Sequence, residues 1–281
     1  CGVWQNKLPE DSTVWINDAT TSTSDAEMLA GRPVLDMTPE GILEDIHQAF
    51  QIPREITQRT SPIIVLGILR GILLSYPTAR HVGVICHRRH APAIKGTSHS
   101  DPKLDHSFQD RIEKVSYYRK GQSRGSNEWI ERCDLLICLG TPRIPPSVVK
   151  THLIRLGQIA AAARPEDWVS WGLDYWSGVT ESGKRVTVKC LAYRDRDWRR
   201  AYQSQVIAEL IQAVGRGRQK CANGIPTIVV SCDPLGLKLV DVMPPIITNE
   251  VLEVIQAIVE LTDINAKGVS GAELSDMFPN I

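Results

Sequence analysis

The feature that most constrains this fold is a set of short, uninterrupted apolar runs separated by helical patterns. His81-Val82-Gly83-Val84-Ile85-Cys86 is one, Leu135-Leu136-Ile137-Cys138-Leu139 a second, and Thr227-Ile228-Val229-Val230-Ser231 a third. A strand with one face in water alternates apolar and polar residues, whereas a run that is apolar throughout has both faces covered. Ile112 to Tyr118 adds a more mixed strand. Between these runs the period changes. Over Ser61 to Tyr76, Ile63, Ile64, Leu66, Ile68, Leu69, Ile72 and Leu73 suit a buried helix, which Pro77 ends. Shorter helices are predicted after His87 and over 126–133. Longer ones are predicted over 148–163 and over 202–214, the last with Val206, Leu210 and Ile211 inward. Buried strands alternating with helices predict an α/β fold, a parallel sheet with helices on both faces. In such sheets ligands sit at the carboxyl ends of the strands.

Two segments break the alternation. Residues 168–193 are rich in aromatics and glycines, with a turn at Glu181-Ser182-Gly183-Lys184 and a β-rich run from Arg185 to Leu191, which predicts an inserted antiparallel hairpin. Lys95 to Gln109 is polar and reads as a loop. At the ends, Thr13 to Asn17 and Arg32 to Leu35 are short strand candidates. Thr248 to Leu261 is an amphipathic helix pattern, and Gly271 to Met277 could open a helix-turn-helix. Residues 244–281 therefore read as a helical extension.

Composition sets wide limits. Lys plus Arg equals Asp plus Glu, so no global positive field exists, and any nucleic-acid contact must come from local basic groups and backbone amides. The seven cysteines include no C-x-x-C pair, which fits a reduced, cytoplasmic set of small buried residues. Cys86-His87-Arg88-Arg89-His90 holds ligand types, yet it has no second pair at zinc spacing, so no metal site is expected there. No apolar run is long enough to span a membrane.

Three stretches carry chemistry. Gln212-Ala213-Val214-Gly215-Arg216-Gly217-Arg218 ends a helix with two arginines beside glycines. Guanidinium is permanently charged and matches phosphate oxygens in a planar fork. The bland alternative is a helix C-cap followed by surface arginines. Arg124-Gly125-Ser126-Asn127 precedes a helix that Ser126 can cap, and amides at such a terminus suit a phosphate or a ribose hydroxyl. An ordinary capped loop explains it equally well. Asp18-Ala19-Thr20, after the first strand candidate, means little by itself.

Taken in order and context, these stretches resemble the second half of superfamily 2 helicases, closest to the iron–sulfur DNA-repair branch. Asp18-Ala19-Thr20 matches the Ser/Asp-Ala-Thr motif that closes the first RecA-like domain. Val82 to His87 matches a strand-turn that meets the nucleic-acid backbone, and Arg124 to Asn127 matches an Arg-Gly-x-Asp motif, with Asn127 in place of Asp. Leu135 to Pro142 matches a strand ending at a Gly-x-Pro turn, and Gln212 to Arg216 a Gln-x-x-Gly-Arg motif. The family has a second arginine three residues beyond that motif's own. Gln219 stands there, with Arg218 one residue early.

The resemblance implies a division into 1–30, the end of a first RecA-like domain or a linker; 31–243, a second RecA-like domain; and 244–281, the extension. It implies an ATP- and Mg²⁺-dependent motor acting on nucleic acid, DNA before RNA, with Arg216 or Arg218 as an arginine finger and Gln212 beside it. Gly215, Asn127 and Gly125 would border ATP. Thr20, His87, Arg88, Arg124 and Ser126 would touch the strand. No G-x-x-x-x-G-K-[ST] occurs; Ser182-Gly183-Lys184-Arg185 comes nearest and lacks the hydroxyl. The chain starts at Cys1, so a P-loop domain of the same protein is expected upstream, and the piece alone is expected not to hydrolyse ATP. The rival reading is a non-catalytic RecA-like module that binds DNA or protein in a replication assembly. A weaker third is a nucleotide-sugar-type doubly wound enzyme.

Overall fold

The computed structural model describes residues 23–30, 33, 49–97, 103–118, 128–164, 169–218 and 224–251. Its centre is a six-stranded sheet: β1 (Ala49–Ile52), β2 (Val82–Cys86), β3 (Ile112–Tyr117), β4 (Leu135–Leu139), β7 (Thr227–Val230) and β8 (Lys238–Leu239). Every pairing is parallel, in the order β3-β2-β4-β7-β1-β8. All six carboxyl ends therefore lie along one edge. Within β4 the pleat sends Leu135, Ile137 and Leu139 to one face and Leu136 and Cys138 to the other, and all five are fully buried. One face packs on α2 (Pro62–Ser75) and α3 (Ala91–Ile94). The other packs on α5 (Glu128–Arg132), α6 (Pro146–Arg155), α7 (Ile159–Ala162) and α8 (Arg196–Val214). This is the RecA-like α/β architecture, with helices on both faces of the parallel sheet.

The remaining strands, β5 (Trp171–Val179) and β6 (Arg185–Tyr193), pair only with each other, antiparallel and in continuous register, and form the expected hairpin. Trp171, Tyr193 and Tyr202 pack ring against ring, with centroids 4.2 Å and 5.0 Å from Trp171, and so anchor the hairpin's base on α8. The mixed-sign run 194–200 is a salt-bridged surface. Arg164 pairs with Asp195 and Asp197, and Arg199 with Asp174.

Several boundaries differ from the sequence reading. The helix over 148–163 breaks into α6 and α7 because Gly157 takes a left-handed φ of 73°. Helix α8 starts six residues before Tyr202. Asp195 accepts hydrogen bonds from the Asp197 and Trp198 amides at 3.0 and 3.1 Å, a cap worth about 1 kcal/mol, and the capped turn then carries polar residues that the apolar period does not include. In that helix Val206 and Leu210 are buried as expected, while Ile211 is half-buried and Ala213 and Val214 fill the core. A short helix, α4 (His106–Gln109), stands in the predicted loop over 95–109. Strands β1 and β8 carry no signal of their own: Ala-Phe-Gln-Ile is short and has a polar centre, and Lys-Leu is a dipeptide. Between the two N-terminal strand candidates lies α1 (Thr23–Ala30), whose buried Asp25 faces His152 and Arg200 at 3.6 and 3.5 Å. The helix predicted from 248 is helical at 249–251, and residues beyond 251 lie outside the described residues, as do the strand candidate at 13–17 and all of that at 32–35 but Pro33, which is not in a strand.

Candidate functional site

The carboxyl edge of the sheet is where a ligand is expected, and here the protein's own side chains fill its centre. Gln51, fully buried on β1, donates from Nε2 to the carbonyls of Ser231 and Asp233, both at 2.7 Å. Thr141, just beyond β4, sits 2.8 Å from the Ser231 hydroxyl and donates to Asp233 at 2.9 Å. Beside this network Arg143 donates to Glu55 at 2.7 Å, and its guanidinium lies 4.8 Å from the Trp171 ring centroid. The hairpin crosses above, with Trp176 Nε1 donating to Cys232 O at 2.8 Å. The connection from β1 to α2, Pro53 to Ser61, contains neither glycine nor lysine. The P-loop form of a phosphate-cradling connection needs both, and the dinucleotide-binding form needs the glycines.

Burial pushes the Asp233 carboxyl above its ordinary range, and the Thr141 and Ser231 hydroxyls and the Arg143 charge offset only part of that. Glu55 is raised for the same reason, against Arg143. A carboxyl raised in the folded state costs stability as it ionises. That penalty is absent below the ordinary aspartate value and grows as pH rises through the window above it. Asp233→Asn is therefore expected to gain on the parent protein as pH rises from about 4, read as the difference in thermal midpoints. A difference independent of pH would show that this carboxylate carries no penalty.

His87 and Arg88 follow β2 at the same edge, nearer the β3 side. The half-buried His87 ring meets Tyr118 edge-on at 5.7 Å and His90 at 5.9 Å, and Tyr118 donates to Gly140 O at 2.8 Å. Gly140, at φ 91°, leaves room for that ring: a Cβ there would lie 2.8 Å from His87 Nε2. Arg88 is exposed, its guanidinium 5.9 Å from the Tyr117 ring centroid. Thr20, Arg124, Gly125, Ser126 and Asn127 lie outside the described residues.

Gln212 to Arg218 lies elsewhere. Helix α8 ends in a single 3-10 turn, Gly215–Gly217, whose Gly217 carbonyl accepts from Ile225 N at 2.7 Å, two residues before β7 begins. The arginine pair is thus at the amino edge of the sheet, and the structure does not bring it together with His87 and Arg88. Gln212 and Arg216 are half-buried, Gly217 is buried, and Gly215 and Arg218 are exposed. Arg218 adopts φ 49°, ψ 41°; it is the one non-glycine residue with positive φ among the described residues. A side chain in that left-handed region costs about 1–2 kcal/mol. Arg218→Gly is therefore expected to raise stability by about 1 kcal/mol in chemical denaturation. Loss of stability equal to that of Arg218→Ala would show that side-chain contacts, not the backbone, fix the turn.

The sequence contains part of what it does not reveal. Thr141 and Arg143 lie in the Gly140-Thr141-Pro142-Arg143 turn, and Ser231 ends a recognised strand, but Gln51 belongs to the strand without a signal and Glu55 to the connection that follows it. Cys86, Cys138 and Cys232 are free and buried, each thiol pushed up to about 12 by burial, so none is a ready nucleophile. Among the described residues no cluster of His, Cys, Asp and Glu could hold a metal ion, and no helix is long and apolar enough to cross a membrane. No protein-family model, curated protein or solved structure matches the chain.

Proposed function

We propose that this chain is the second RecA-like lobe of an ATP-dependent nucleic-acid helicase or translocase, acting in the cytoplasm on DNA before RNA. A first lobe of the same protein binds the ATP phosphates and Mg²⁺. This lobe supplies Arg216 or Arg218 to the transferring phosphoryl group, with Gln212 beside them, while Gly215, Gly125 and Asn127 border the nucleotide. Thr20, His87, Arg88, Arg124 and Ser126 meet the strand.

The observation that carries the reading is the held turn at 215–218. Arg218 is exposed, two residues from Arg216, and held in a left-handed conformation, and backbone outliers of this kind cluster at functional sites. Its place at the amino edge departs from the expected carboxyl-end position, so the role requires the other lobe to dock on the amino edge. A finger acts on a nucleotide held by another lobe, so it has no need of its own sheet's carboxyl edge. That edge in turn is closed by Gln51, Thr141, Ser231 and Asp233. The test is ATP hydrolysis by the two-lobed protein, with and without single-stranded DNA, after replacing each arginine by alanine. Lost turnover with ATP binding retained in one variant supports the role, and unchanged turnover in both overturns it.

The closed carboxyl edge also favours a second reading, a RecA-like module that binds DNA or protein without turnover. Absence of any strand-stimulated hydrolysis in the two-lobed protein would select it.

A further inference from the structure

The hairpin presents one face to solvent and one to the protein. The inner face is fixed at several points. Trp176 bonds to Cys232 O, Asp174 pairs with Arg199 at 2.9 Å, and Gly178 packs so closely that a Cβ there would lie 2.5 Å from Leu239 Cδ1. The turn is tied down as well. Glu181 N donates to Leu239 O at 2.9 Å, and the Ser182 hydroxyl to Asp241 at 2.6 Å. The hairpin is therefore a strap across the carboxyl ends from β4 to β8, held at base and tip.

The outer face carries Leu173, 58% exposed, and Tyr175, 60% exposed, with Val179 and Leu191. Two-residue periodicity puts Tyr175 beside Lys189 and Val179 beside Arg185, while Leu173 pairs with Leu191. No acidic residue stands on this face, since Asp174 points inward to Arg199. In a chain of zero net charge, an apolar and aromatic surface whose charges are all cationic, with the neutral Ser177–Thr187 pair between them, is a local departure. Among the described aromatics of this segment, Trp171 and Trp176 are used in packing, and Tyr175 points outward.

We infer that the outer face of the β5–β6 hairpin is a platform for single-stranded nucleic acid, with an unpaired base stacked on Tyr175 beside the Leu173–Leu191 pair and the backbone phosphates on Lys189 and Arg185. A tyrosine face accepts any base, and a guanidinium and an ammonium four residues apart on one face of a strand follow a backbone without reading sequence. A base within a duplex cannot offer its face, so the platform selects single strands. It is the face that binds and not the tip, because the tip is fastened to Leu239 and Asp241. This inference deepens the strand-binding part of the proposed function and requires no hydrolysis.

The test is fluorescence anisotropy of the full chain with a labelled oligo-dT strand and with a duplex of equal length, without nucleotide. Tyr175→Ala is expected to weaken oligo-dT binding about tenfold, while Tyr175→Phe keeps parent affinity. Lys189→Ala should weaken binding and make its logarithmic salt dependence shallower by about 0.7. Circular dichroism of each variant should match the parent. Oligo-dT affinity unchanged by both Tyr175→Ala and Lys189→Ala overturns the platform. So does a chain that binds no strand, or a self-association that Tyr175→Ala abolishes in light scattering, which would assign the face to a second copy. Hydrolysis in the two-lobed protein is a separate readout: its loss would leave the platform standing, and a failed platform would leave the finger standing.

Discussion

Replacing the finger arginine by alanine in the two-lobed protein is expected to lower ATP turnover by roughly 10³–10⁵-fold while ATP still binds. The size follows from where the charge develops. A loose phosphoryl transition state spreads negative charge over the equatorial oxygens, and a fixed guanidinium stabilises it more than it stabilises bound ATP, so turnover falls more than affinity. Arg216 and Arg218 are distinguishable by their backbones. Arg218 is left-handed and exposed, and Arg216 is half-buried within the 3-10 turn. Single replacements that split, one abolishing turnover and one altering it a few-fold, would name the finger. Lysine at the finger position should rescue poorly, because an ammonium lacks the planar fork. A steady-state assay with a nucleotide-binding control is sufficient, and equal turnover in parent and both variants removes the arginine-finger role.

The second large effect is on stability. Helix propensity alone makes Gly71→Ala in α2 favourable by about 1 kcal/mol. The structure reverses the sign. A Cβ on Gly71 would run into the backbone carbonyl of Pro245, well inside contact distance. The segment that crosses there is tied to the helix, with Ile247 N donating to Gly67 O at 3.0 Å and Arg70 to Ile247 O at 3.2 Å. A backbone carbonyl two residues from the doubly hydrogen-bonded Ile247 cannot yield as a side-chain tip can. Overpacking of this kind costs about 1–3 kcal/mol, the upper end applying where backbone must move. The expected net change is a loss of about 2 kcal/mol, or roughly 4–8 °C in the thermal midpoint of a domain this size. Gly67→Ala should cost less, because the nearest atom there is the Ile246 Cγ2 methyl at 2.8 Å, with backbone no closer than 3.2 Å. A Gly71→Ala protein as stable as its parent would mean that the 245–247 segment gives way freely.

Those two glycines show where reading the sequence reaches its limit. Ile63 to Leu73 marks a buried helix by period, and the helix is there. Nothing in the period says that Gly67 and Gly71 line the track of a segment some 175 residues later, a contact that only folding creates. The same holds for β1, a strand because β7 and β8 supply hydrogen bonds on both sides, not because Ala-Phe-Gln-Ile prefers to be extended. The hairpin divides the aromatics in a way the sequence leaves open. Nothing in the aromatic-rich run separates Trp171, Tyr175 and Trp176 by role; the register places the two tryptophans against the protein and the tyrosine in water.

By itself the sequence determined the architecture. The runs at 82–86, 135–139 and 227–230 are apolar on both pleat faces, and such strands are stable only inside a sheet covered by helices on either side. It also determined that the arginines end a helix, because the apolar period of α8 stops at Val214 and glycines follow. The tertiary structure alone decided which edge each candidate occupies, with Gln212 to Arg218 at the amino ends of the strands and His87 and Arg88 at the carboxyl ends. It alone assembled Gln51, Thr141, Ser231 and Asp233 from three strands far apart in the chain. Local periodicity reports which face of an element is dry. Which elements meet, and at which end, is set by the order in which strands pair, and no single segment encodes that.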